Sequence, residues 1–151
     1  MNPALFRALW RLRHARNRRL MEVRRSVIDA DYIDREQLDE LQLIRLKALL
    51  DRAYRKSDFH RERFRTVGFE PGDLRSVADL AQLPVMTKED IRENVDRIRV
   101  SDIPESSLTE RFTGGSTGIP VRVLSDPNTA IELTAMFVRT TARWGVRPGD
   151  R

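Results

Sequence analysis

The sequence predicts an α/β fold, α+β over the stretch it spans, on three observations. Apolar residues recur at helical spacing through roughly the first hundred positions. Segments with strand character appear only from Thr109 onward, and two of them flank the loop Thr113-Gly114-Gly115-Ser116-Thr117-Gly118-Ile119-Pro120. Two strands do not make an independently stable sheet, so the expected architecture is a helical segment followed by the first strands of a larger, incomplete domain.

Near the start, Leu5, Phe6, Leu9, Trp10 and Leu12 lie at helical spacing with arginines opposite. Residues 1–25 hold eight arginines against Glu22, a net of +7, which leaves −2 for the rest of a chain whose formal charge is +5. Basic character therefore belongs to an N-terminal segment, residues 1–33, and not to the domain expected over 34–151. The preferred reading is a helix packing its apolar face on the protein with its arginines solvated. Contact of residues 4–25 with an anionic membrane surface is the functional alternative. Nucleic acid is disfavoured because no recognition motif accompanies the charge.

Asp34 is placed to cap a long helix in which Leu38, Leu41, Ile44, Leu46, Leu49, Leu50, Ala53 and Tyr54 form an apolar face as far as Lys56. Ser57-Asp58-Phe59-His60 interrupts it, a short helix carries Arg61 to Val67, and Gly68 suits its end. His60 reads as an exposed residue at a helix start, not as a ligand or base. Pro71-Gly72-Asp73 marks a turn. Capping boxes at Ser76–Asp79 and Thr87–Asp90 each open a helix, the first ending before Leu83-Pro84. Lys88 is taken as structural in preference to a phosphate contact. After a polar connector, strands are expected over Thr109–Thr113 and Val121–Ser125. Asp126-Pro127 then opens a helix that ends at Gly145. Its broad buried face would comprise Ile131, Ala135, Val138 and Ala142, joined by Thr134, Phe137, Thr141 and Trp144.

Several chemistries are excluded. Without cysteine there is no disulfide, thiolate nucleophile or cysteine-based metal site. His14 and His60 stand in unrelated segments, which argues against zinc. Arginines interrupt each early apolar stretch, so neither a secretory signal nor a membrane span is expected, and the location expected is cytoplasmic, with any membrane contact peripheral to the inner face.

The glycine-rich loop is the feature that carries chemistry. Its glycines permit positive φ and close approach of backbone to a ligand, and its hydroxyls and amides can donate to an anion. A Walker loop requires Gly-Lys-Ser/Thr, whereas Ile119 and Pro120 follow Gly118; the dinucleotide fingerprint requires a strand before it and a helix after it, whereas both flanks here are strands. What remains is a Thr-Gly-Gly-Ser-Thr-Gly-x-Pro anion cradle at a hairpin tip. A flexible tip without a ligand is the plain alternative.

That loop resembles the Thr-Ser-Gly-Ser-Thr-Gly-x-Pro signature of the adenylate-forming enzymes, in particular the phenylacetate-CoA ligase and capsule-biosynthesis CapK-like branch. Leu46 to Tyr54 with Ser57-Asp58-Phe59, Leu83 to Asn94, and Trp144 to Arg151 fit the same branch, so the likeness covers residues 35–151. It implies ATP-dependent activation of a carboxylic acid to an acyl-adenylate, commonly followed by transfer to CoA, with Mg2+ accompanying ATP. Thr113, Gly114, Gly115, Ser116, Thr117 and Gly118 would hold the ATP phosphates. The family's adenine-site motifs, ribose-binding aspartate and catalytic lysine are not among these residues, so the chain alone is expected to present a phosphate loop and to be inactive. Two positions depart from the branch: Ile119 stands where many members have lysine, and Ser57-Asp58-Phe59-His60 replaces Ser-Pro-Phe-Tyr. From another class, the alternative is a non-catalytic basic helical module associating with anionic membrane or a protein partner.

Overall fold

In a computed structural model, which describes residues 4–5, 8–9, 18–114 and 118–146, the chain is helix-rich with a two-stranded antiparallel sheet, an α+β arrangement. The elements are α1 (Arg18–Asp29), α2 (Arg35–Lys56), α3 (Asp58–Thr66), α4 (Lys88–Ile98), β1 (Thr109–Phe112), β2 (Arg122–Ser125) and α5 (Pro127–Arg143). Two compact units result: Asp34–Asp126, and a second formed from residues before Asp34 and after Asp126.

In the Asp34–Asp126 unit, Asp34 opens α2 through a capping box. Its carboxylate accepts the Gln37 N–H at 2.8 Å, and the Gln37 side chain accepts the Asp34 N–H at 3.3 Å. Ser57 ends α2 because its backbone is extended (φ −125°, ψ 120°), and the same residue caps α3, its hydroxyl accepting the His60 N–H at 3.4 Å. The second helix therefore begins at Asp58 and not at Arg61, since one residue serves both as terminator and as cap. Gly68, at φ 65°, closes α3 in a Schellman motif with Gly68 N–H bonded to Arg65 O and Phe69 N–H to Phe64 O.

That Schellman turn folds Phe69 back onto Phe64, their rings edge to face at 5.5 Å, while Tyr54 stacks on Phe64 from α2. With Leu50 and the fully buried Leu74 they form the core, flanked by Leu43, Leu46, Ala53, Leu80 and Leu83. Burying each such side chain contributes about 1.5–3 kcal/mol. Ile44 and Leu49, expected on the apolar face of α2, are exposed; the core lies over the stripe through Leu43, Leu46 and Leu50.

Residues Val77–Gln82 form a 3₁₀ helix. The Asp79 carboxylate accepts the N–H groups of Arg75 and Ser76 at 2.7 and 2.8 Å, which holds its pKa below the ordinary value. The Thr87–Asp90 box opens α4: Thr87 N–H reaches Asp90 at 2.8 Å and Asp90 N–H reaches the Thr87 hydroxyl at 3.1 Å. Inside α4, Asn94 leaves helical geometry (φ −126°, ψ 18°) and its side-chain amide donates to Asp90 O at 2.9 Å, the insertion that kinks the helix.

Strands β1 and β2 pair antiparallel with Thr109 opposite Ser125 and Phe112 opposite Arg122. All of β1 is exposed, whereas β2 is partly to fully buried and packs against α4.

In the other unit α1 packs on α5, with Leu20, Ala135 and Val138 buried. Asp31 follows α1 and receives Arg139 and Arg143 from α5. The broad buried face expected for α5 is narrower: Phe137, Ala142 and Trp144 are exposed, because a single helix covers only the stripe through Ala135 and Val138. Gly145 ends α5 at φ 73°. Of the first amphipathic pattern, Leu5 and Leu9 are helical and exposed, while Phe6, Trp10 and Leu12 lie outside the described residues.

Replacing Ser57 with alanine removes the α3 cap and a hydrogen bond to Arg97 O, and is expected to destabilise the chain by about 1–3 kcal/mol, read as a lowered urea midpoint. The hydrogen bond from Arg139, with further attraction from Arg143, holds the Asp31 carboxyl below its ordinary value of 3.8. A depressed carboxylate stabilises fully above that value and loses its contribution as pH falls through the lower, folded value. Amide NMR should therefore show α1 and α5 loosening on acidification below pH 3.8, and Asp31→Asn should remove that acid-dependent step.

The glycine-rich loop as candidate functional site

Two hydrogen bonds join Thr113 and Val121 at the base of the loop. Thr113 N–H donates to Val121 O at 3.0 Å, and Val121 N–H donates to the Thr113 hydroxyl at 3.0 Å, so backbone and side chain of one residue close the neck. Val121 is buried while Gly114, Gly118 and Ile119 face solvent. The neck is thus anchored.

Of the residues expected at the site, Thr113, Gly114 and Gly118 are described, and Gly115, Ser116 and Thr117 lie outside the described residues. Neither Gly114 nor Gly118 adopts positive φ, contrary to the expectation for the loop glycines; the positive-φ glycines among the described residues are Gly68 and Gly145, both at helix ends. A Cβ at Gly114 or Gly118 would meet nothing within 4 Å, so both leave their backbone open to approach.

Two arginines that periodicity did not single out hold the arm leaving the loop. Arg92 of α4 donates to Ile119 O at 2.6 Å and to Glu89 at 2.9 Å. Arg122 donates to Glu110 across the hairpin at 3.0 Å and to Asp96 of α4 at 3.3 Å. These partners raise the Arg122 pKa, the hydrogen bond to Glu110 most of all. Arg63 tethers the segment before α4, donating to Pro84 O and Val85 O at 3.0 and 2.7 Å and lying over the Phe59 ring. Lys88 is exposed at the first position of α4.

His60 is half-buried against Phe59 and Phe64, not exposed as the sequence implied. Burial, then the charge of Arg63, lowers its pKa. A cleft of about 310 Å³ opens beside the hairpin, lined by Asp96, Arg99, Glu105, Glu110 and Arg122 among others. Both of its arginines are already paired, Arg99 with Glu105 and Arg122 with Glu110 and Asp96, so it offers an anion little uncompensated charge. Among the described residues no group of three or more His, Asp or Glu side chains is placed to hold a metal ion, and no helix is long and apolar enough to cross a membrane.

Fold and site define a helix-rich chain that presents a hairpin-borne, glycine-rich loop braced by a helix. No protein-family model matches it. It is 30% identical over 124 residues to phenylacetate-coenzyme A ligase of Escherichia coli (strain K12), which covers 80% of this chain and 28% of that protein. It is 35% identical over 135 residues to phenylacetate-coenzyme A ligase of Aromatoleum evansii, 81% of this chain and 28% of that one. Protein CapK of Staphylococcus aureus is 37% identical over 81 residues, 54% of this chain and 17% of CapK. The chain is a phenylacetate-CoA ligase- and CapK-like segment, and it spans about 28% of the length of the two ligases.

Thr113→Val should leave the buried Val121 N–H without its acceptor, at a local cost of about 1–3 kcal/mol. Amide exchange at Val121 is then expected to accelerate roughly tenfold to a hundredfold, and Thr113→Ser should restore protection.

Proposed function

We propose that residues 34–151 begin the adenylation domain of an ATP-dependent carboxylate-activating enzyme, an acyl-CoA ligase, and that Thr113 to Gly118 form its ATP phosphate-binding loop. The observation that carries this reading is the similarity to phenylacetate-coenzyme A ligases over four fifths of the chain. The described loop residues fit an anionic ligand. Thr113 uses its oxygen lone pair on Val121 N–H and keeps its own proton to donate, and Gly114 and Gly118 leave their backbone unobstructed. Gly115, Ser116 and Thr117 would add amides and hydroxyls to the same cradle.

Such donors matter most for the leaving pyrophosphate, whose negative charge grows as the carboxylate attacks the α-phosphate. Groups already aimed at that charge lower the barrier without reorganising. Mg2+ would come with the nucleotide, and CoA would accept the activated acyl group. The carboxylic acid and the remaining catalytic groups would be handled by residues beyond these.

Hydrogen bonds to a charged group contribute about 1.5–3 kcal/mol each, against about 1–2 kcal/mol to order each residue. Three or four bonds therefore roughly balance the ordering of the loop. Hydrogen exchange at residues 113–120 should slow when ATP and Mg2+ are added, and the full-length protein should catalyse ATP–pyrophosphate exchange that depends on an added carboxylic acid. Equal protection with and without nucleotide, together with no exchange across a broad panel of acids, overturns the proposal.

A further inference from the structure

We propose that Arg92 is a positioning residue for the glycine-rich loop, fixing the loop's outgoing arm from α4; the inference rests on the reading of that loop as an ATP phosphate site. The arm is held at successive points. Arg92 takes the carbonyl of Ile119, Thr113 takes both backbone groups of Val121, and Asp96 and Glu110 take the side chain of Arg122. Arg92 and Asp96 stand one helical turn apart on α4, on either side of the kink at Asn94. One offers a cation and the other an anion, so they grip the arm by groups of opposite polarity.

The contact at Ile119 has a chemistry of its own. Its carbonyl belongs to the peptide bond with Pro120, which has no N–H, and proline restricts both its own φ and the conformation of the residue before it. A free carbonyl there could turn its negative end toward a bound anion. Arg92 claims that oxygen and draws it to α4. Glu89 holds the guanidinium from the other side at 2.9 Å. The Arg92 Nε is buried without a hydrogen-bond partner, so the side chain keeps this pose at the expense of one of its own donors. Ile119 carries no charge and its side chain faces solvent, so the described cation bonded to this shoulder comes from α4.

The test compares wild-type full-length protein with Arg92→Gln, Arg92→Ala and Arg92→Lys. Amide exchange without nucleotide reads the grip, and KM for ATP against kcat and carboxylate KM in ATP–pyrophosphate exchange reads its use. Expected are faster exchange at Gly118 and Val121 with the Leu50 core unchanged, an ATP KM raised about tenfold, an unchanged carboxylate KM, and partial recovery in Arg92→Lys. If Arg92→Ala also loosens Leu50, Arg92→Gln and Arg92→Lys supply the comparison. Unchanged exchange at Gly118 and Val121 overturns the grip whatever ATP does. Faster exchange with an unchanged ATP KM overturns the positioning role. A wild-type protein that shows no response to ATP overturns the phosphate-loop reading instead, and the grip is then decided by nucleotide-free exchange alone.

Discussion

The hydroxyl of Ser57 is the point on which the Asp34–Asp126 unit depends. It is fully buried, accepts the His60 N–H at the start of α3, and donates to Arg97 O in the last turn of α4 at 3.0 Å. Its backbone N–H closes α2 on Ala53 O. Three helices thus meet at one side chain. A buried hydroxyl is costly unless its hydrogen bonds are made, and here donor and acceptor are both engaged. Nearby, Ser101 N–H donates to Lys56 O at 2.8 Å, and the Arg97–Glu62 and Arg52–Asp102 pairs span the same joint. The exposed ion pairs add little individually.

From that joint the constraint passes along α4 to the hairpin. Its C-terminal end is fixed to the α2–α3 junction and its N-terminal turn is fixed by the Thr87–Asp90 box and by Arg63. Held at both ends, α4 is the base on which β2 packs. Both arms of the loop rise from that base, with Gly114, Gly118 and Ile119 exposed.

Charge is distributed in keeping with this arrangement. Around the hairpin Arg92, Arg99 and Arg122 already have carboxylate or carbonyl partners, which makes them struts more than free attractors. On the other unit, Asp31 gathers Arg139 and Arg143, so some of the basic charge there is spent on joining α1 to α5.

Much of the local structure could be read directly from residue order. The Asp34, Ser76 and Thr87 boxes, the glycines closing α3 and α5, the hairpin and its glycine-rich tip are all signalled by groups within four or five residues of one another, where short-range hydrogen bonding and φ preference dominate. The same sequence carried the likeness to phenylacetate-CoA ligases. Only the tertiary structure decided which face of α2 and of α5 is buried, that Ser57 serves α4 as well as its own helices, that His60 sits among aromatic rings, and that Arg92 and Asp96 hold the arm beyond the loop. The contacts of Asp96 with Arg122, Arg92 with Ile119 and Ser57 with Arg97 join residues 26 to 40 positions apart, and an arginine on a helix gives no periodic sign of the carbonyl it will meet.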